Sequence, residues 1–231
     1  MLRHILRLIF LILPLGACAQ SAPSTTAASG PPQAGVHYAL APKPGTWLPE
    51  NGKIEVVEYF SYTCGHCAEF QPMIDRWKKT MPKDVVFHYI PNAYDLEFPY
   101  SRAFFAAENL KALPKVHQDL FVAIHEDGRL PRNATIDEIA TYFAQRGIDR
   151  AKAIAAMGSP DVSAKMKRAN QFVIDKRPQG TPTLVVAGKY VIKGETYQEY
   201  IDNLNAVLTM ERAKRRASAR PAAPKPAATS P

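Results

Sequence analysis

Hydrophobic and polar positions change their spacing several times along the chain, and each change marks a different element. Over residues 53–60 β-branched and aromatic side chains dominate, which predicts a strand. Period two puts Ile54, Val56, Glu58 and Phe60 on one face, so a carboxylate falls among apolar neighbours. Then Phe70, Met73, Ile74 and Trp77 follow the i, i+3, i+4, i+7 spacing of one helix face. Pro72 lies inside that helix and is expected to kink it, having no N–H to donate to the preceding turn. Residues 84–90 read as a second strand, completing a strand–helix–strand start.

From about Phe98 the spacing is helical for some eighty residues. Ala103, Phe104, Ala107 and Leu110 share one face, and Val116, Leu120, Phe121 and Ile124 another. Thr135 and Glu138 form a capping box before Ile136, Ile139, Ala140 and Phe143, with Gly147 as the closing residue. Ser159-Pro160 starts a longer helix running through Met166, Ala169 and Val173. Strand spacing returns at 183–187 and 190–192, a hairpin turning at Gly188-Lys189. Tyr200, Ile201, Leu204, Val207 and Leu208 make a last amphipathic helix. The order predicts an α/β fold: one sheet, from residues 36–97 and 171–210, interrupted by an all-helical insert at 98–170.

The two ends differ from this body. Arg3 and Arg7 precede an apolar run, Leu8 to Leu15, that is shorter than a bilayer span of ~20 residues. Small residues follow, so 1–19 reads as an export signal. Ala17-Cys18-Ala19 is an A-x-A cleavage site, with release before Gln20, while Leu15-Gly16-Ala17-Cys18 resembles a bacterial lipobox that would lipidate Cys18. Either cut leads outside the cytoplasm, where disulfides persist. Residues 20–35 carry neither charge nor large apolar side chains and are expected to be a disordered tether, and 211–231 a disordered basic tail. Of the formal charge of +8, residues 1–19 contribute +2 and 211–231 contribute +5, leaving a nearly neutral body. That argues against nucleic-acid binding, which needs clustered basic groups on the folded surface.

Three cysteines, Cys18, Cys64 and Cys67, are too few for a disulfide scaffold or a four-thiolate zinc site. His88, His117 and His125 are dispersed, and the last two read as surface or satisfied side chains. No metal or bound organic cofactor is expected. The chemistry centres on Cys64-Gly65-His66-Cys67, between the first strand and its helix. A helix N-terminus carries roughly half a positive charge and unpaired N–H groups, so a thiolate at Cys64 is stabilised. His66, if protonated, adds to this, or it is an idle exposed residue. Cys67, one turn on, can close a short ring onto Cys64. A stabilised thiolate is also a good leaving group, so the oxidised pair is readily attacked, with Cys64 the exposed sulfur. A merely structural disulfide would restrain little chain in so short a loop. Glu58 is either a buried proton acceptor for Cys67 or an edge residue reaching water.

The run Glu58-Tyr59-Phe60-Ser61-Tyr62-Thr63-Cys64-Gly65-His66-Cys67, with Pro72 and Gly180-Thr181-Pro182-Thr183, resembles the DsbA family of periplasmic thiol-disulfide oxidoreductases across about residues 36–210. The resemblance implies a thioredoxin-like fold with an inserted helical domain. Pro182 would be a cis proline facing the CxxC with Thr181 before it, both lining the substrate site, and Glu58 the buried acid. It also implies partners: exported proteins with free cysteines, and a membrane reoxidant resembling DsbB with quinone. The enzyme is expected to be a periplasmic monomer, membrane-anchored if Cys18 is lipidated. Gly65-His66 in place of Pro-His, and Thr181 in place of Val, are similar to disulfide isomerases. A disulfide donor is therefore the first expectation. An isomerase or reductase using the same cysteines, and a tethered peptide-binding module with a structural CxxC, are the alternatives.

Overall fold

The computed structural model describes residues 30–219. Cys18, the signal segment, most of the tether and the chain beyond 219 lie outside the described residues. A five-stranded sheet has the order β1-β5-β4-β2-β3. Its centre is β2 (Ile54–Phe60), parallel to β3 (Val85–Pro91) and antiparallel to β4 (Thr183–Val186). Both edges of β2 are paired and both faces covered, so all seven residues are buried rather than one alternating face. β4 turns into β5 (Tyr190–Ile192), and β1 (Tyr38–Leu40), too short to stand out in the sequence, pairs with β5 at the edge.

The hairpin turns one residue earlier than expected. Ala187 and Gly188 both have positive φ, 52° and 62°. A Cβ at Gly188 would sit 2.2 Å from the Gly45 carbonyl oxygen, so only glycine fits there.

One face of the sheet carries α1 (Gly65–Lys79) and α7 (Tyr197–Ala219). Phe70, Ile74 and Trp77 of α1 and Leu204, Val207 and Leu208 of α7 close over Ile54, Val56, Leu184 and Val186. α1 continues through Pro72 to Lys79. The other face packs against α2 (Pro99–Asn109), α3 (Leu113–His125), α4 (Ile136–Ala144), α5 (Arg150–Met157) and α6 (Pro160–Lys176), with Phe104, Leu120, Phe143 and Met166 meeting Val57, Tyr59, Ile90 and Val185. The Thr135–Glu138 capping box forms with both of its bonds, and Ser159 caps α6 by accepting from the Val162 N–H. Caps of this kind contribute about 1 kcal/mol each. α6 overruns the boundary expected at 170 and ends where Arg177 turns left-handed.

The tail expected from residue 211 begins instead as helix, because α7 continues to Ala219. Its charges are anchored. Glu211, 2% exposed, takes Arg215, Lys189 and the Tyr190 hydroxyl, and Arg212 grips Asp84 through two bonds of 2.6 and 3.0 Å. A basic composition therefore concealed a docked helix. The end of the expected tether is likewise tied down: Ala34 bridges Tyr38, and Gly35 donates to the Tyr38 carbonyl. Among the described residues no helix is long and apolar enough to cross a membrane.

Candidate active site

Cys64 is the N-cap of α1, with extended backbone (φ −87°, ψ 119°). The end of β2 and the Ser61-Tyr62-Thr63 turn deliver it there, the Cys64 N–H donating to the Ser61 carbonyl at 3.2 Å. Its sulfur is part-exposed, whereas Cys67 is fully buried. Both are free thiols. Facing them is the Thr181-Pro182 bond, which is cis, and the Cys64 Sγ lies 3.2 Å from the Thr181 carbonyl oxygen. The fold thus joins residues 117 positions apart.

The two thiols are electrostatically unlike. The Cys67 thiol donates to the Cys64 sulfur and is the largest influence holding the Cys64 pKa down, to about 5. The Thr181 side chain and the N–H groups of Cys67 and His66 add to it, against the opposing effect of burial. The Thr181 carbonyl can accept from Cys64 only while the thiol is protonated, so the side chain acts in the opposite sense from the backbone. Burial pushes the Cys67 thiol far above the ordinary range, and the charges of Cys64 and Glu58 push it further.

The His66 imidazole is bonded to Tyr197 rather than to either sulfur. Its Nδ1 is 3.1 Å from the Tyr197 hydroxyl, which donates to Glu69 at 2.9 Å. That hydroxyl has one proton, so Nδ1–H must donate to it. What residue 66 offers Cys64 directly is its backbone N–H.

Glu58 is 0% exposed, which excludes the edge position. Both carboxylate oxygens are without a partner, and burial raises its pKa to about 8, moderated by Lys78. Around it lie polar groups that stand outside the apolar faces of the sequence. Gln71 donates to Asp75 and to the Tyr89 hydroxyl, and Lys78 donates to the same two. Tyr89 is the cross-strand neighbour of Glu58. Gln71, Asp75 and Lys78 keep the i, i+4, i+7 spacing one position behind the apolar stripe of α1, a signal present in the sequence. His117 is not a surface residue. It is buried, its Nδ1 lies 2.7 Å from the Tyr62 hydroxyl, and burial lowers its pKa to about 3, so it is neutral.

A family model described as Thioredoxin matches residues 49–205. Among curated relatives, the thiol:disulfide interchange protein DsbA of Azotobacter vinelandii is 40% identical over 140 residues, 60% of this chain and 64% of that protein. DsbA of Bordetella parapertussis is 33% identical over 168 residues, 70% of this chain and 78% of that protein. The crystal structure of the oxidoreductase DsbA from Xylella fastidiosa superposes with a TM-score of 0.77 at 34% identity, covering 80% of this chain and all of that one. Pseudomonas aeruginosa DsbA superposes at 0.73 with 30% identity, covering 80% and 96%. Sheet, insert and paired cysteines at a helix start define a thioredoxin-fold oxidoreductase. Within that class the chain belongs to the DsbA family of thiol:disulfide interchange proteins.

Proposed function

We propose that the protein donates its Cys64–Cys67 disulfide to exported proteins in the periplasm. A substrate thiolate attacks the Cys64 sulfur, the disulfide breaks, and Cys67 leaves with the electron pair as a mixed disulfide forms. The Cys67 thiolate is strongly disfavoured by burial and takes up a proton. Glu58, buried, protonated at neutral pH and near enough that its ionised form raises the Cys67 pKa, is the candidate donor. A second substrate thiolate then attacks the substrate sulfur and expels Cys64. The substrate leaves oxidised and the enzyme holds two more electrons, which a membrane partner resembling DsbB would pass to quinone. Thr181 and Pro182 line the approach of the substrate chain.

The observation carrying this reading is the asymmetry of the thiols: one part-exposed with its pKa held down by neighbouring donors, the other buried with its pKa held up. A thiolate stable at neutral pH favours the reduced enzyme and so makes the disulfide oxidising. The test is oxidation of a dithiol peptide by the purified protein, with Cys67→Ser expected to trap mixed disulfides and Cys64→Ser expected to be inert. Trapping by Cys64→Ser would reverse the roles, and no peptide oxidation by wild type would leave the binding-module reading. Equilibration with glutathione separates a donor from an isomerase or reductase, whose potential would be lower.

A further inference from the structure

The turn that delivers Cys64 is gripped from outside by the helical insert. Within the turn, the Ser61 and Thr63 hydroxyls bond only to near neighbours: they lie 3.1 Å apart, and the Thr63 N–H donates to the Ser61 hydroxyl. Such local bonds shape the turn but cannot set its angle to the Thr181-Pro182 loop on β4. Three insert side chains can. His117, on α3, meets the Tyr62 hydroxyl at 2.7 Å. His125, at the end of α3, places Nε2 2.8 Å from the Tyr62 carbonyl oxygen. Arg132, in the loop after α3, donates Nη1 to the Thr63 carbonyl at 2.5 Å.

The tautomer follows. A carbonyl can only accept, so His125 Nε2 carries the proton and, in the neutral ring, Nδ1 keeps its lone pair. Arg132 Nη2 lies 3.4 Å from that Nδ1. His125 and Arg132 therefore form one bonded unit holding the two carbonyls that immediately precede Cys64. Among the described residues, every hydrogen bond from outside the turn to Tyr62 or Thr63 comes from the insert.

We propose that His125 and Arg132 are positioning residues for the nucleophile, holding the Tyr62 and Thr63 carbonyls so that the Cys64 sulfur stays against Thr181 and the first turn of α1. The insert thereby takes part in setting the reactivity of the CxxC, besides covering the sheet. Without the grip, the turn pivots and the sulfur loses contacts that favour its thiolate.

Arg132 is exposed, so Arg132→Met should fold. Its thiolate titration, followed by ultraviolet absorbance of the reduced protein, should move to higher pH. Its equilibrium with glutathione should shift at least threefold toward the oxidised enzyme, about 14 mV at ~30 mV per tenfold. Arg132→Lys, which keeps a cationic donor, should recover more than half of the shift. His125→Phe should act in the same direction, and the double variant should fall short of the sum, because the two side chains hold one turn. A folded Arg132→Met with wild-type titration and equilibrium overturns the proposal, as do equal shifts in the Met and Lys variants. The inference rests on Cys64 being the reactive sulfur, but its readout does not require disulfide donation. Failure of peptide oxidation by wild type counts against the donor reading, and an unmoved titration counts against this one.

Discussion

Glu58 offers the sharpest quantitative check, because its cost to the fold depends on pH in a defined way. The carboxyl is fully buried and its oxygens have no partner, so its pKa rises from 4.5 to about 8. Between those values the unfolded chain has released the proton and the folded chain has kept it. The folded state then binds more protons, so stability falls as pH rises. At pH 7 the interval from 4.5 is 2.5 units, which at 1.36 kcal/mol per unit is about 3 kcal/mol of lost stability. Glu58→Gln cannot ionise and escapes this loss, though its amide is as poorly partnered as the protonated acid. The variant-minus-wild-type difference should therefore grow by about 3 kcal/mol from pH 4 to pH 7, whatever its value at pH 4. Urea unfolding of the reduced proteins, held in a phosphine reductant, measures it as a midpoint difference widening by roughly 1.5 M for a slope near 2 kcal/mol/M. A difference that stays flat across that range would show that Glu58 ionises normally and would remove it as a proton source for Cys67.

Cys64 has the opposite sense: its pKa is lowered, so it favours the folded reduced state above the ordinary thiol range and loses that effect as pH falls through about 5. Alkylation of the reduced protein should accordingly stay fast at pH 6 and slow only near pH 5, and a midpoint near that of a free thiol refutes the assignment. Thr181→Val, nearly isosteric, removes a hydroxyl while leaving the carbonyl beside the sulfur. It should shift the glutathione equilibrium by about tenfold, or 30 mV, roughly the worth of one hydrogen bond to a charged group, and an unchanged potential assigns Thr181 to strand-start duty alone. If Cys18 is lipidated, Cys18→Ser moves the protein from the membrane pellet to the soluble periplasmic fraction; a soluble wild type beginning at Gln20 instead marks the A-x-A cut.

The elements with regular periodicity were legible from residue spacing: the central strand, the helix after the CxxC, the capped helices of the insert and the hairpin. In each, one face is apolar or one cap residue is diagnostic, and both are local properties of the chain. What spacing concealed was whatever long-range contact stabilises. β1 is three residues long and exists through its pairing with β5. The last turns of α7 look like a solvated basic tail until Glu211 is placed under Tyr190 and Arg212 against Asp84. The same division runs through the site. Chain order alone puts Cys64 at a helix start with Cys67 a turn later, which already makes one sulfur accessible and favours its thiolate. Only the folded molecule could bring Thr181 to 3.2 Å from that sulfur, bury Glu58 without a partner, and lay His125 and Arg132 on the carbonyls before Cys64. Those features join residues far apart in sequence, and burial and charge at a site sum over every neighbour in space, which local periodicity does not record.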